Sequence, residues 1–193
     1  MLDVYKIRKD FPILGKKVNN TDLIYFDNAA TSQTPNQVID VISSYYKENN
    51  SNIHRGLHSL SADATNKYEN SRSIIKNHFG AAHDHEIIFT SGTTHGINII
   101  SSGLEKLISS KDELIVSEME HHSNIVPWQM LCEKTGSKLK VIPINDDGTL
   151  DMNEYKSLLT NQVKFVFINH VSNTLGIVNP IKEIIDLAHK NKS

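Results

Sequence analysis

Apolar residues return along this chain in two rhythms. Around residues 38–46 and 62–79 they recur every three or four positions, whereas beyond residue 85 they gather into short runs. The first rhythm predicts helices. Val38, Ile39, Ile42, Tyr45 and Tyr46 share helical spacing, and Thr34-Pro35 reads as the start, a capping hydroxyl followed by proline at the first helical position. A second helix covers Ala62 to Phe79, with Ala64, Tyr68, Ile75 and Phe79 on one face and Gly80 as its stop. The later runs predict strands: EIIFT (86–90), ELIVSE (113–118), KLKVIPI (138–144) and KFVFINH (164–170). Helices alternate with them. GTTHGINIISSGLEKLI (92–108) is a loop running into a helix, and Pro127 to Lys134 is the next one. A short helix near Met152 to Leu159 follows the turn Asn145-Asp146-Asp147-Gly148, and IKEIIDLAHK (181–190) is the last. This alternation predicts an α/β domain with a mainly parallel sheet and flanking helices. In such sheets ligands sit beyond the carboxyl ends of the strands, which puts the SGTTHG, EHHSN and HVSNTLG loops along one rim.

Composition narrows this without changing it. A chain of 193 residues is long enough for one domain with a sizeable core. Its formal net charge is −2, with no block of like charges, so nothing in it argues for a nucleic-acid or membrane surface. No apolar run approaches the length of a bilayer span, and MLDVYKIRKDFPIL at the start has no continuous apolar core, which argues against a secretory signal. The single cysteine, Cys132, excludes an intrachain disulfide and fits a reducing compartment.

Several loops carry chemistry, each beside a plainer reading. Ser91-Gly92-Thr93-Thr94-His95-Gly96 follows a strand and opens a helix, where free N–H groups and the helix dipole favour an anion. It is neither a Walker A loop nor a dinucleotide fingerprint, and an ordinary capped turn also accounts for it. His121 and His122 stand side by side at a strand end. Adjacent side chains rarely converge on one metal, so one imidazole stacking on a flat ligand competes with a merely polar surface pair. His54 and His58 have a spacing that can chelate on a helix, but Gly56 between them disfavours a regular helix, and no metal site is expected. The Asn173 amide can hydrogen-bond a ligand oxygen or its own turn. Asp27-Asn28-Ala29-Ala30-Thr31 is a small-residue turn, either a plain loop or a place for close approach. Arg55 can grip a carboxylate or stand as an exposed charge. Cys132, among apolar neighbours, reads as a buried structural thiol.

Together these segments form a recognisable series. YFDNAATSQTPNQVID, NIHRGLHSLSADAT, FTSGTTHGIN, EMEHHSNIVPWQ, INDDGTLD and HVSNTLGIVNP occur in the order found in the SUF-type (group II) cysteine desulfurases, and the chain resembles that family over essentially its whole length. These are pyridoxal 5'-phosphate (PLP) enzymes of the aminotransferase-like fold (fold type I). They convert L-cysteine to L-alanine and pass the sulfur on as an enzyme persulfide for iron–sulfur cluster assembly. By this resemblance, residues 1–80 are an N-terminal helical segment leading into the PLP domain, and 81–193 are the first part of the α/β large domain. His121 stacks on the cofactor ring and assists proton transfer. Thr94, with the backbone at Thr93, holds the phosphate, and Asn173 contacts the ring oxygen and the substrate carboxylate region. Ala29 and Ala30 line the substrate pocket. His54 and Arg55 approach the active site of the partner subunit of a homodimer. A sulfur-acceptor protein and a cytoplasmic location are implied as well.

The same resemblance implies that the lysine holding the cofactor, the aspartate facing its ring nitrogen, the nucleophilic cysteine and the carboxylate-binding arginine lie outside these residues. Cys132 does not match the nucleophile. The expectation is the N-terminal portion of a desulfurase, with an incomplete large domain and no small domain. On its own it would bind the cofactor weakly or not at all and be inactive. In the family's sheet EIIFT pairs with the last strand, so residues 86–90 would here lack a ladder partner. A selenocysteine lyase, a kynureninase-like hydrolase and a non-catalytic interaction module are the competing readings.

Overall fold

The computed structural model describes residues 2–193, and the chain divides into two compact units, Met1–Phe89 and Thr90–Ser193. The first unit opens with the short helix α1 (Val4–Arg8), whose Asp3 cap accepts from the Lys6 N–H at 3.0 Å. A minimal antiparallel hairpin follows, β1 (Lys17–Val18) and β2 (Thr21–Asp22), turned through Asn19 and Asn20 at φ 50° and 63°.

The next two helices depart from expectation at their ends. Helix α2 (Asn36–Ser44) begins one residue later than Thr34-Pro35 implied: Pro35 is its cap, and no side chain caps it. It runs on into a π-helical turn over Tyr45–Asn49. Its apolar residues stay open to solvent, with Val38 and Ile42 about half exposed. Helix α3 (Ser59–Phe79) starts three residues earlier than the apolar spacing suggested, because His58 accepts from the Ser61 N–H through Nδ1 at 3.3 Å. It stops at Gly80, which sits at φ 69° as a left-handed cap. Ala64 is buried on the expected face, but Phe79 is 74% exposed.

Residues 86–90 do not form a strand, which corrects the sequence reading. Asp84–Glu86 make a 3-10 turn, and among the described residues nothing pairs with the extended segment that follows. One of its carbonyl groups finds another donor: the Ile87 oxygen accepts from the Arg72 guanidinium. β-propensity cannot make a strand without a ladder.

The second unit is an α/β layer. Helix α4 (Thr93–Leu104) ends earlier than expected and tightens into a 3-10 turn at Glu105–Leu107. Three strands then alternate with three helices: β3 (Glu113–Ser117), α5 (Val126–Thr135), β4 (Lys138–Ile142), α6 (Met152–Leu158), β5 (Val163–Phe167) and α7 (Ile181–Asn191). The strands pair in parallel in the order β4-β3-β5, with Leu114 opposite both Leu139 and Phe165. Strand β4 stops before Pro143, which has no N–H for a ladder.

Every residue of the central strand β3 is buried, and its alternation divides the core. Leu114 and Val116 pack with Ile108, Trp128, Leu131 and Cys132, joined by Ile97 and Leu104 of α4. Ile115 packs on the other side with Ile142, Leu150, Tyr155, Val163 and Ile184. The Trp128 indole lies flat on Phe167, centroids 3.6 Å apart. No described helix is long and apolar enough to cross a membrane.

Tyr155 is fully buried and donates to the Ile184 carbonyl at 2.9 Å, and burial pushes its phenol up from 10 to about 12. The folded state therefore holds this proton more tightly than the unfolded chain. The stabilisation is fully present below the unfolded value of 10 and is lost as pH rises through about 12. Ultraviolet titration should show one of the six tyrosines ionising only together with the loss of near-ultraviolet dichroism, and Tyr155→Phe should remove that late step.

Candidate functional site

Because β3 and β5 are parallel neighbours, the loops leaving their carboxyl ends emerge side by side. The first carries His121 and the second Asn173. Helix α4 packs beside the turn His122–Asn124 and beside α5, and the Ser101 hydroxyl donates to the Pro127 carbonyl at 3.1 Å.

The amino end of α4 has features suited to an anion. Gly92 precedes it at φ 144°, a conformation strained for residues with a side chain, although a Cβ there would meet nothing within 4 Å. No side chain caps the helix and its first turn holds no acidic residue, so the first amide N–H groups keep their donor capacity. Thr93 and Thr94 occupy that turn and are exposed. His95 turns back and is engaged by Ser91, whose N–H donates to Nδ1 at 3.3 Å and whose hydroxyl lies 3.0 Å from it.

His121 is exposed, and its ring direction is fixed locally. Nδ1 accepts from the Ser123 N–H at 3.1 Å and lies 2.8 Å from the Ser123 hydroxyl. A backbone N–H can only donate, so Nδ1 is the unprotonated nitrogen and Nε2 carries the hydrogen. The neighbouring His122 ring sits edge-on, 6.2 Å away.

Asn173 tops a tight turn. Gly176 N–H donates to the Ser172 carbonyl at 2.9 Å, and the Val171–Val178 bridge closes its base. Among the described residues the Asn173 amide reaches only the Thr174 hydroxyl, at 3.4 Å, and Asn173 is exposed, so its hydrogen-bonding capacity faces outward.

Residues of this region that the sequence reading passed over are Glu120, Asn124, Asn169 and Asn179. The Glu120 carboxylate is buried and accepts from Ser117, Asn124 and the Asn169 N–H, while Asn124 accepts from the Trp128 indole. The spacing of Glu120, Asn124 and Trp128 at i, i+4 and i+8 was the available signal, a polar line leading into an apolar helix.

The remaining candidates lie in the first unit. Ala29 and Ala30 form an exposed turn in which Ala30 and Thr31 donate to the Asp27 carbonyl. His54 sits at φ 69°, and its Nε2 lies 2.7 Å from Glu69. The Glu69 carboxyl is held below its usual range by His54 and then Arg72, and the Arg72 guanidinium is stacked 5.1 Å from both the Tyr68 and Phe89 rings. His54 and His58 do not converge, since the second caps α3. Arg55 is exposed.

A family model described as aminotransferase class-V matches residues 24–193. The chain belongs to the aminotransferase class-V family. That family consists of PLP-dependent enzymes, and this chain has the aminotransferase-like fold. A cysteine desulfurase of Escherichia coli is 44% identical over 192 residues, 99% of this chain and 47% of that protein. The apo structure of a cysteine desulfurase from Thermococcus onnurineus superposes with a TM-score of 0.90 at 37% identity, covering all of this chain and 46% of the other. A structure of SspA in complex with cysteine matches at TM-score 0.78 and 26% identity, over 88% of this chain and 48% of that one. The chain thus spans less than half the length of these relatives.

Cys132 is buried in α5 against the sheet, and burial raises its thiol more than the Ser137 hydrogen bond lowers it. A raised thiol is a poor nucleophile at neutral pH. Ellman's reagent should therefore leave the folded class-V chain unmodified and titrate one thiol at once in guanidinium chloride. Rapid labelling of the native chain would contradict this placement.

Proposed function

We propose that this chain is the PLP-facing N-terminal part of a cysteine desulfurase of the SUF type, acting on L-cysteine for iron–sulfur cluster assembly. The observation that carries the reading is the rim of the second unit. His121 there presents an exposed Nε2–H edge on the loop beside Asn173, while the uncapped amino end of α4 is available to an anion. Residues 81–193 are read as the first part of the PLP-binding large domain and 1–80 as the segment leading into it.

The donor set fits PLP. The free N–H groups at Thr93 and Thr94, with the Thr94 hydroxyl, take its phosphate by helix dipole and hydrogen bonds. The His121 ring offers a flat face for stacking and a nitrogen able to move a proton near neutral pH. The Asn173 amide offers a donor and an acceptor to the ring oxygen and to the substrate carboxylate. When bound, PLP supplies the electron sink for breaking bonds at the substrate carbon atoms.

The first unit contributes shape and charge in this reading. Ala29 and Ala30 leave room for the substrate, and the Arg55 guanidinium recognises a carboxylate, reaching with His54 toward the partner subunit's site in a homodimer. Sulfur transfer to an acceptor protein needs a thiolate, and buried Cys132 is not it. That group, and the lysine that anchors PLP covalently, correspond to no residue of this sequence. A cytoplasmic setting suits a thiol enzyme.

Binding by these residues alone should be weak and reversible. Nuclear magnetic resonance titration of the folded chain with PLP should shift the Gly92–His95 amides and the His121 ring together. Thr94→Val should weaken the affinity about 3- to 10-fold, the net worth of one ordinary solvent-exposed hydrogen bond, and His121→Ala should abolish the ring-dependent part. Amides that stay unmoved at saturating PLP in a folded chain would sink the reading.

A further inference from the structure

The residue immediately before His121 is a carboxylate with almost no access to water: Glu120 is 8% exposed. Its Oε1 accepts from the Ser117 hydroxyl at 2.6 Å and from the Asn169 N–H at 2.8 Å, and its Oε2 accepts from Asn124 Nδ2 at 2.8 Å. The Asn124 oxygen in turn accepts from the Trp128 indole at 2.9 Å. Indole and backbone N–H groups can only donate, which settles the direction of the bonds from Trp128 to Asn124, from Asn124 to Glu120 and from Asn169 to Glu120. Asn124 must turn its oxygen to Trp128 and its nitrogen to position 120, so both oxygens there have to accept.

The connections reach further on each side. Asn169, at the carboxyl end of β5, also donates its side-chain amide to the Met119 carbonyl at 3.2 Å, and Asn179 donates to the Asn169 carbonyl and side-chain oxygens at 3.0 and 2.7 Å. On the other side, the Asn124 N–H closes the turn by donating to the His121 carbonyl at 2.7 Å. Within that turn Ser123 supplies the N–H that selects the His121 tautomer.

From this geometry we propose that Glu120 is a positioning residue for the His121 imidazole. Its carboxylate clamps the turn 121–124 onto the end of β5 and, through Asn124, holds Ser123 where it keeps the hydrogen on His121 Nε2. The proposal gives a source for the ring orientation assumed under the PLP reading and rests on that reading for its functional meaning.

The test is the tautomer itself, read by long-range nitrogen–proton correlation spectra of the labelled, PLP-free full chain. The unsubstituted protein should show two well separated His121 nitrogen shifts, with the hydrogen on Nε2. Glu120→Gln places an amide nitrogen against either Asn124 Nδ2 or the Asn169 N–H, so in both orientations a donor faces a donor and the clamp opens on one side. The two shifts should then move toward each other as the tautomers mix, and the Ser123 amide should exchange about tenfold faster as its bond opens. Asn124→Ala cuts the same link with a smaller perturbation and decides the matter if Glu120→Gln does not fold. Tyr155→Phe, which removes a buried bond elsewhere in the unit, should leave both signals unchanged. A single tautomer kept in folded Glu120→Gln or Asn124→Ala, or an equal mixture in Tyr155→Phe, would overturn the proposal. PLP titration of the unsubstituted chain reads the other claim separately: no shift at Thr94 or His121 there would remove the cofactor reading, whatever the tautomer shows.

Discussion

The second unit depends on burying one short strand on both faces. Strand β3 has no solvent side, so each of its residues must be matched by a helix layer above or below. Leu114, Ile115 and Val116 are essentially inaccessible, and burying each such side chain is worth about 1.5–3 kcal/mol. The strand cannot slip by one residue without exchanging the two faces, so the register with β4 and β5 is strongly held. Parallel pairing then sends all three carboxyl ends to one rim. The positions of His121 and Asn173 follow from the core, not from any attraction between them.

A buried carboxylate at that rim is a second-order consequence of the same packing. Beyond Ser117 the chain turns within a space already filled by Trp128 and Phe167, and polar atoms there must find partners inside the protein. Glu120 finds three, and the cluster of Asn124, Asn169 and Asn179 spreads the load across two loops. One oxygen, Asn179 Oδ1, is left without a partner among the described residues. Glu113, at the opposite end of the same strand, solves a similar problem differently. Burial alone would raise its carboxyl, but the Lys140 ammonium at 2.8 Å and the Thr160 hydroxyl hold it below its usual range. At one end of β3 the carboxyl pairs with a cation, and at the other it is surrounded by neutral donors.

The first unit obeys a looser logic. Its order comes from side chains gripping the backbone more than from a shared core: Ser61 donates to the Asn52 carbonyl, Thr65 accepts from the His54 N–H, and Arg72 donates to the Ile87 carbonyl. That is why residues 86–90 read as a strand and yet are not one. Their apolar run is real, but Ile88 is 71% exposed and among the described residues no ladder meets it. Likewise the apolar spacing of α2 predicts a helix, which forms, and a buried face, which does not.

By itself the sequence determined the elements of the second unit, because apolar periodicity and glycine stops act within a few residues of where they are read. It also placed His121 and Asn173 on loops that follow strands whose direction the alternation with helices requires. The family likeness was legible too, in the order of the motifs along the chain. Only the tertiary structure decided which strands have neighbours, which apolar faces are covered, and how His121 is oriented. Those outcomes depend on partners distant in sequence, such as the Asn169 N–H that meets Glu120 across 49 positions. A carboxylate beside a histidine reads as a solvated charge until the fold removes the water and supplies donors from another strand.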